Sequence, residues 1–161
     1  MKEEFRALLR KKKEISHDEC IALLTRETRG VLSVNGDGGY PYAMPMNHYY
    51  DPENGCIYFH SGKMGHRLDA LRRSDKVSFC VVEQGTRDEG EWAYRVRSVI
   101  VFGHVEVIDD EAEIVRVATA LCHKFPCDEK YIKSEIEKYA KATLLLRLTP
   151  AHMCGKCVTE S

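Results

Sequence analysis

Apolar and polar positions alternate along most of this chain, and the places where alternation gives way to a helical period divide it into elements. Cys20, Leu23 and Leu24 recur at helical spacing within residues 17–27, and Ser16 stands as N-cap before His17, Asp18 and Glu19, which predicts an opening helix. Val31 to Asn35 reads as a strand, the run Gly36-Asp37-Gly38-Gly39 as a tight turn, and Tyr40 to Tyr50 as the returning arm of a β-hairpin. A second turn, Asp51 to Gly55, leads into a strand from Cys56 to Ser61. Met64, Leu68 and Leu71 then fall at i, i+4 and i+7 and predict a short helix ringed by Lys63, Arg67, Arg72 and Arg73.

Lys76 to Glu83 and Trp92 to Ile108 follow as strands, separated by a polar excursion. The longer one is apolar on both faces, Val99, Val101, Val105 and Val107 on one and Ile100, Phe102 and Ile108 on the other, so burial on both faces is expected. Residues 110–123 carry a helical stripe of Ile114, Val117, Ala118, Leu121 and Cys122, and residues 129–139 a weaker one of Ile132, Ile136 and Tyr139. Ala142 to Leu148 reads as a last strand and Ala151 to Ser161 as a tail. Six short, mostly antiparallel strands, joined early by connections too short for βαβ crossovers, predict a mainly β α+β domain: a six-stranded antiparallel barrel with peripheral helices. So small a barrel has little interior to spare, which puts a ligand on its outer surface or at a subunit interface.

At 161 residues and 43% hydrophobic, the chain suits one domain over residues 1–161, with a charged N-terminal segment, Met1 to Glu14. Its 24 Lys and Arg against 25 Asp and Glu leave a net charge of −1, which argues against a nucleic-acid or anionic-membrane partner. No apolar stretch approaches the roughly 20 residues of a membrane span, and the N-terminal segment lacks the apolar centre of a secretory signal, so a cytoplasmic setting is expected. The seven cysteines, an odd number, fit reduced thiols better than a disulfide framework.

Four segments are candidates for chemistry. In the first, His60-Ser61-Gly62-Lys63 through His66 and Arg67, a Gly-containing turn enters a helix amid positive charge, the usual way to hold a phosphate monoester; a solvated basic helix face is the alternative. In the second, Tyr40 to Tyr50, Pro45 removes a ladder donor mid-strand and leaves backbone groups for the polar edge of a heteroaromatic ring; an ordinary edge strand is the alternative. Arg95 and Arg97 share a face and serve either a site completed across an interface or surface carboxylates such as Glu89 and Glu91. Cys154-Gly155-Lys156-Cys157 with Cys122, His123 and Cys127 suggests a zinc or redox group, against which scattered reduced thiols are preferred and no metal is assigned.

Gly39-Tyr40-Pro41-Tyr42-Ala43-Met44-Pro45, then Ile57 to Ser61 through Gly65 to Arg73, then Val77 to Val82 and Tyr94 to Gly103, together resemble the nitroimidazole-resistance (Nim) flavoproteins of the pyridoxamine-phosphate-oxidase-like superfamily, from about residue 16 to about residue 156. The resemblance implies a split-barrel homodimer with FMN, or alternatively FAD, at the subunit interface. It assigns Pro45, Met46 and Asn47 to the isoalloxazine ring, His60, Ser61, Lys63, His66 and Arg67 to the ribityl and phosphate groups, and Arg97 and Ser98 to contacts from the partner subunit. His66 is the candidate polar group close to flavin or substrate. The Arg and Lys that true pyridoxamine-phosphate oxidases carry on the strand reading here Ala43 to His48 are missing, as is their Arg-rich C-terminal strand, which argues against vitamin B6 oxidation. His152-Met153-Cys154-Gly155-Lys156 keeps the His-x-x-Gly-Lys common in Nim-like proteins. The activity implied is a flavin-dependent oxidoreductase that reduces a small electron-poor acceptor such as a nitroimidazole or other nitroaromatic; a non-catalytic flavin carrier and a haem-handling protein are the rivals.

Overall fold

In the computed structural model, which describes residues 4–160, one antiparallel sheet dominates. Its strands are β1 (Arg29–Asn35), β2 (Pro41–Asn47), β3 (Tyr49–Tyr50), β4 (Ile57–Gly62), β5 (Lys76–Val82), β6 (Tyr94–Ile108) and β7 (Thr143–Glu160). The helices are α1 (His17–Arg26), α2 (His66–Arg73), α3 (Glu111–Cys122) and α4 (Glu129–Tyr139). The sheet runs β2-β1-β5-β6-β7-β4-β3. Its two outermost strands are consecutive in the chain and separated by His48 alone, so a single extended segment belongs to both edges and curls the sheet into a barrel.

His48 thereby divides the expected single strand Tyr40 to Tyr50 in two and makes seven strands where six were predicted. Two other expectations are corrected. The tail, as far as Glu160, is strand: β7 pairs with β6 along its whole length, through a register shift at Phe102/Gly103 beside Pro150, which has no N–H to donate. A Cβ at Gly103 would collide with the Thr149 carbonyl, so only glycine fits this bulge. Met1 to Glu3 and Ser161, the ends of the predicted N-terminal segment and tail, lie outside the described residues. Met64 is exposed and precedes α2, which begins after Gly65 at a φ of 120°.

Inside the barrel pack Leu32, Phe79, Val99, Val101, Phe59, Leu146 and Leu148, all fully buried, with α1 closing one end through Cys20, Leu23 and Leu24. A second cluster lies on the other face of β4 and β7, where α3 lays Ile114 and Val117 over Cys56, Tyr58 and Leu145. Burial of β6 on both faces, expected from sequence, is incomplete: Val107 stands exposed near the strand's end, and Phe102 stands exposed on the outer face. Along that outer face Pro45, Val31, Cys80, Ile100 and Cys154 stand opposite one another across five strands.

Two polar networks, one around His48 and Lys124 and one around Glu83, tie these parts together. The His48 imidazole packs edge-on to Phe79, ring centroids 5.0 Å apart, and its Nε2–H donates to the Leu24 carbonyl at 2.7 Å; Nδ1 has no partner among the described residues. Lys124, in the loop between α3 and α4, donates to the carbonyls of Glu27 (2.6 Å), His48 (2.9 Å) and Leu24 (3.4 Å), satisfying the C-terminal end of α1. Burial lowers the Lys124 pKa to about 8; burial first, and then the Lys124 charge, lower that of His48 to about 4. Glu83, also buried, accepts from Arg26 Nη2 (2.6 Å), the Arg97 backbone N–H (2.9 Å) and Arg97 Nη1 (3.4 Å).

Each group yields a prediction. The folded-state pKa of His48 lies below its ordinary value, so the unfolded chain binds the extra proton first, and stability is lost as pH falls from 6.5 through 4. Urea unfolding at pH 7 and pH 4 should show a pH-dependent loss larger in the wild type than in His48→Gln by on the order of 3 kcal/mol. Glu83→Gln removes the anion between two guanidiniums and should lower the unfolding free energy at pH 7 by about 2–4 kcal/mol, read from the same titrations.

Candidate functional site

The barrel closes only in part. β3 pairs with β4 at Tyr49↔Tyr58 and Tyr50↔Ile57, and the ladder stops there. Continued by that register it would set Asn47 against His60, Met46 against Ser61 and Pro45 against Gly62. These six residues, with Arg29 and Arg67, instead line an open cleft of about 500 Å³ between β2 and β4. Pro45 offers no N–H across the gap, so one of the bonds that would close it is forbidden by the sequence. The backbone groups along the two facing edges are left for a ligand.

Arg67 reaches this cleft from the first turn of α2. Its guanidinium meets Ser61 Oγ at 3.4 Å and Met44 Sδ at 3.3 Å, and no carboxylate partner among the described residues. Burial pushes its pKa below the ordinary value, as expected of a cation partly stripped of water without a counter-charge. Arg29 lies across the hairpin from Asn47 and donates from Nε to its Oδ1 at 3.1 Å. His60 is open to the cleft, yet desolvation by the walls first and the Arg67 charge second lower its pKa, favouring the neutral imidazole. Ser61 is buried and donates to the Gly62 carbonyl at 3.1 Å. The cleft thus combines two arginines, a neutral histidine, unpaired strand edges and the apolar side chains of Pro45 and Met46, within the usual size range of ligand sites.

Of the residues singled out from sequence, Pro45, Met46, Asn47, His60, Ser61 and Arg67 are brought together here. Lys63 turns to Asp109 at 3.2 Å. The His66 ring stacks on Tyr42, centroids 4.2 Å apart, and its Nε2 lies 3.3 Å from Asp37, outside the cleft lining. Arg97 is held by Glu83, with Glu19 at 3.9 Å, and Arg95 by Asp88 at 2.9 Å, so neither uses Glu89 or Glu91. Ser98, opposite Val82 and Lys156, shares the outer face with Ile100. Arg29 is the cleft residue that motif reading misses; counting pairs back from the hairpin turn to Asn47 would have found it.

Among the described residues no group of three or more His, Cys, Asp and Glu is arranged to hold a metal ion. Cys154 and Cys157 stand opposite Ile100 and Arg97, on opposite faces of β7, and His123 pairs with Glu129 at 2.8 Å. No described helix is long and apolar enough to cross a membrane.

Among curated proteins none matches this chain in sequence. Similar solved structures include the conserved hypothetical protein Rv2991 of Mycobacterium tuberculosis, at 18% identity and a TM-score of 0.78 over 93% of this chain and 90% of that one. A proposed 5-nitroimidazole antibiotic resistance protein from Bacteroides thetaiotaomicron matches at 19% identity and a TM-score of 0.74, over 91% and 87% of the two chains. A FAD-binding protein from Mesorhizobium loti matches at 20% identity and a TM-score of 0.69, over 91% and 97%. These likenesses establish the split-barrel fold. The family model described as pyridoxamine 5'-phosphate oxidase matches residues 16–157, nearly the whole barrel and both sides of the cleft, and the chain therefore belongs to the pyridoxamine 5'-phosphate oxidase-like family.

Proposed function

We propose that this chain binds a flavin of the FMN class in the cleft between β2 and β4 and acts as a flavin-dependent oxidoreductase toward a small electron-poor acceptor such as a nitroimidazole. The observation that carries the reading is Arg67, a half-buried guanidinium facing the cleft without a carboxylate partner among the described residues. Such a cation calls for an anionic ligand, and a phosphate monoester supplies the oxygens that Arg67 and Ser61 can bind. The unpaired strand edges at Pro45 to Asn47 and His60 to Gly62 suit the donor and acceptor edge of a fused heteroaromatic ring, which the Pro45 and Met46 side chains would flank. The flavin, when bound, supplies electron transfer, and the protein sets its potential through nearby charge and hydrogen bonds. Arg29 and Arg67 hold positive potential at the cleft, and the depressed His60 pKa leaves an imidazole that accepts or donates one hydrogen bond without adding charge. Two proteins sharing this fold, one a proposed nitroimidazole-resistance protein and the other FAD-binding, support the choice of acceptor and cofactor class.

The active unit in this reading is a homodimer. Pro45 belongs both to the cleft and to the outer row of Val31, Cys80 and Ile100, so a second copy packed on that partly exposed face would wall the cleft. In this reading Ser98, on the same face, would reach the cleft from the partner. Arg97 would have to do so from within its pairing to Glu83.

The test separates phosphate from ring. Wild-type protein should bind FMN, with flavin absorption bands and quenched fluorescence. Arg67→Met should weaken FMN by about 10- to 100-fold while changing riboflavin affinity less than about 3-fold. Refusal of FMN, FAD and riboflavin by the wild type would overturn the reading, and a monomer in sedimentation would remove the shared cleft.

A further inference from the structure

A separate cavity of about 260 Å³ opens beside the cleft, between α3, α4 and the edges of β2 and β4. Its walls are Ile114, Ala118, Leu121, Phe125 and Ile136, and it meets the cleft at Asn47 and His60, which line both spaces. The walls are almost wholly apolar, and one carboxylate, Glu135, intrudes on them from α4. Glu135 is half-buried and has no hydrogen-bond or ion-pair partner among the described residues. Lys138, one turn further along α4, lies over the Tyr139 ring instead, 4.8 Å from its centroid, and Lys133 pairs with Glu137 at 4.0 Å. Its carboxylate is therefore free to accept from a donor that a ligand brings to the mouth of the cavity.

We infer that this cavity is a binding site for a small amine that carries one apolar ring, its cationic nitrogen paired with Glu135 and its ring held by Ala118, Leu121, Phe125 and Ile136. The volume sets the size: it falls below the roughly 300–1,000 Å³ of drug-sized sites and admits a single ring with a short substituent. The carboxylate sets the charge, because an anion would be repelled and a neutral ring would forgo the ion pair that a cationic nitrogen makes with Glu135. The shared walls set the position, since a ligand here touches the residues that bound the cleft. A role as reaction partner of a bound flavin rests on the function proposed above; the binding itself does not.

The experiment uses benzylamine, benzyl alcohol and benzoate as probes, with ligand-observed and protein-observed NMR titrations of the full chain, with and without added FMN. Benzylamine should bind more tightly than benzyl alcohol by about 10-fold, with benzoate weakest. Glu135→Gln should abolish that preference while leaving benzyl alcohol binding unchanged, and Ala118→Phe, which fills the cavity, should remove both. Arg67→Met, in the neighbouring cleft, should leave benzylamine binding intact. Equal binding of the three probes to the wild type, or benzylamine binding that survives Ala118→Phe in a folded protein, would overturn the site. Benzylamine binding by a protein that refuses FMN would sink the flavin reading and leave the amine site standing.

Discussion

The fold turns on the burial of one histidine at the corner of one strand. β2 and β3 would be a single strand were the chain straight at His48; bent there, they become the two opposite edges of the sheet. The bend holds because every group at the corner but one has a partner elsewhere. The His48 N–H donates to Thr28 O at 3.3 Å, its carbonyl accepts from Lys124, and its imidazole donates to Leu24 O while packing on Phe79. An ammonium and an imidazole buried side by side would repel if both were charged, so the corner requires a neutral histidine, and the depressed pKa of His48 is the cost of placing it there.

The cleft follows from that corner. β2 pairs with β1 on one edge, while on the other edge the pairing of β3 with β4 stops at Tyr49 and does not continue into β2. The gap therefore opens where β2 leaves β4, and Pro45 keeps it from zipping shut. Two arginines near this end of the barrel illustrate what separates a structural cation from a binding one. Arg97 has a buried carboxylate, Glu83, and holds α1 against the sheet. Arg67 is also half-buried, but it faces sulfur and a hydroxyl, an imbalance that a ligand anion would correct in the function proposed above.

How legible all this was in the sequence depends on distance along the chain. The N-cap predicted at Ser16 is present and forms a capping box, with the Glu19 backbone N–H bonded to Ser16 Oγ at 3.2 Å and Glu19 returning to the Ser16 N–H at 2.9 Å, because it needs only four residues. The hairpin, the helical stripes of α3 and α4 and the alternation of β5 are equally local. The seventh strand was hidden because nothing in Tyr40 to Tyr50 marks His48 as a corner; the partners that bend it, Leu24 and Lys124, are 24 and 76 residues away. The tail was hidden because Ala151 to Ser161 has weak alternation of its own and becomes strand by pairing with β6. At the cleft, residues that sit in motifs were found. Lys63 and His66 were grouped with them by adjacency, although neighbours on a turn point in different directions, and Arg29 was missed because its relation to Asn47 is one of register.

Lys124 adds a polar tie between the helices and the barrel beside the packing of Ile114 and Val117 on β4 and β7. The loop that carries it also carries Phe125, a wall of the apolar cavity, and its ammonium holds the carbonyls of α1 and of the His48 corner. α3 and α4 are thus pinned to the barrel at the point where the barrel closes. Phe125 follows Lys124 directly in the chain, and Asn47, which precedes the His48 corner, borders both spaces. The cavity and the cleft thus share Asn47 and His60 as a wall, beside the corner that Lys124 anchors.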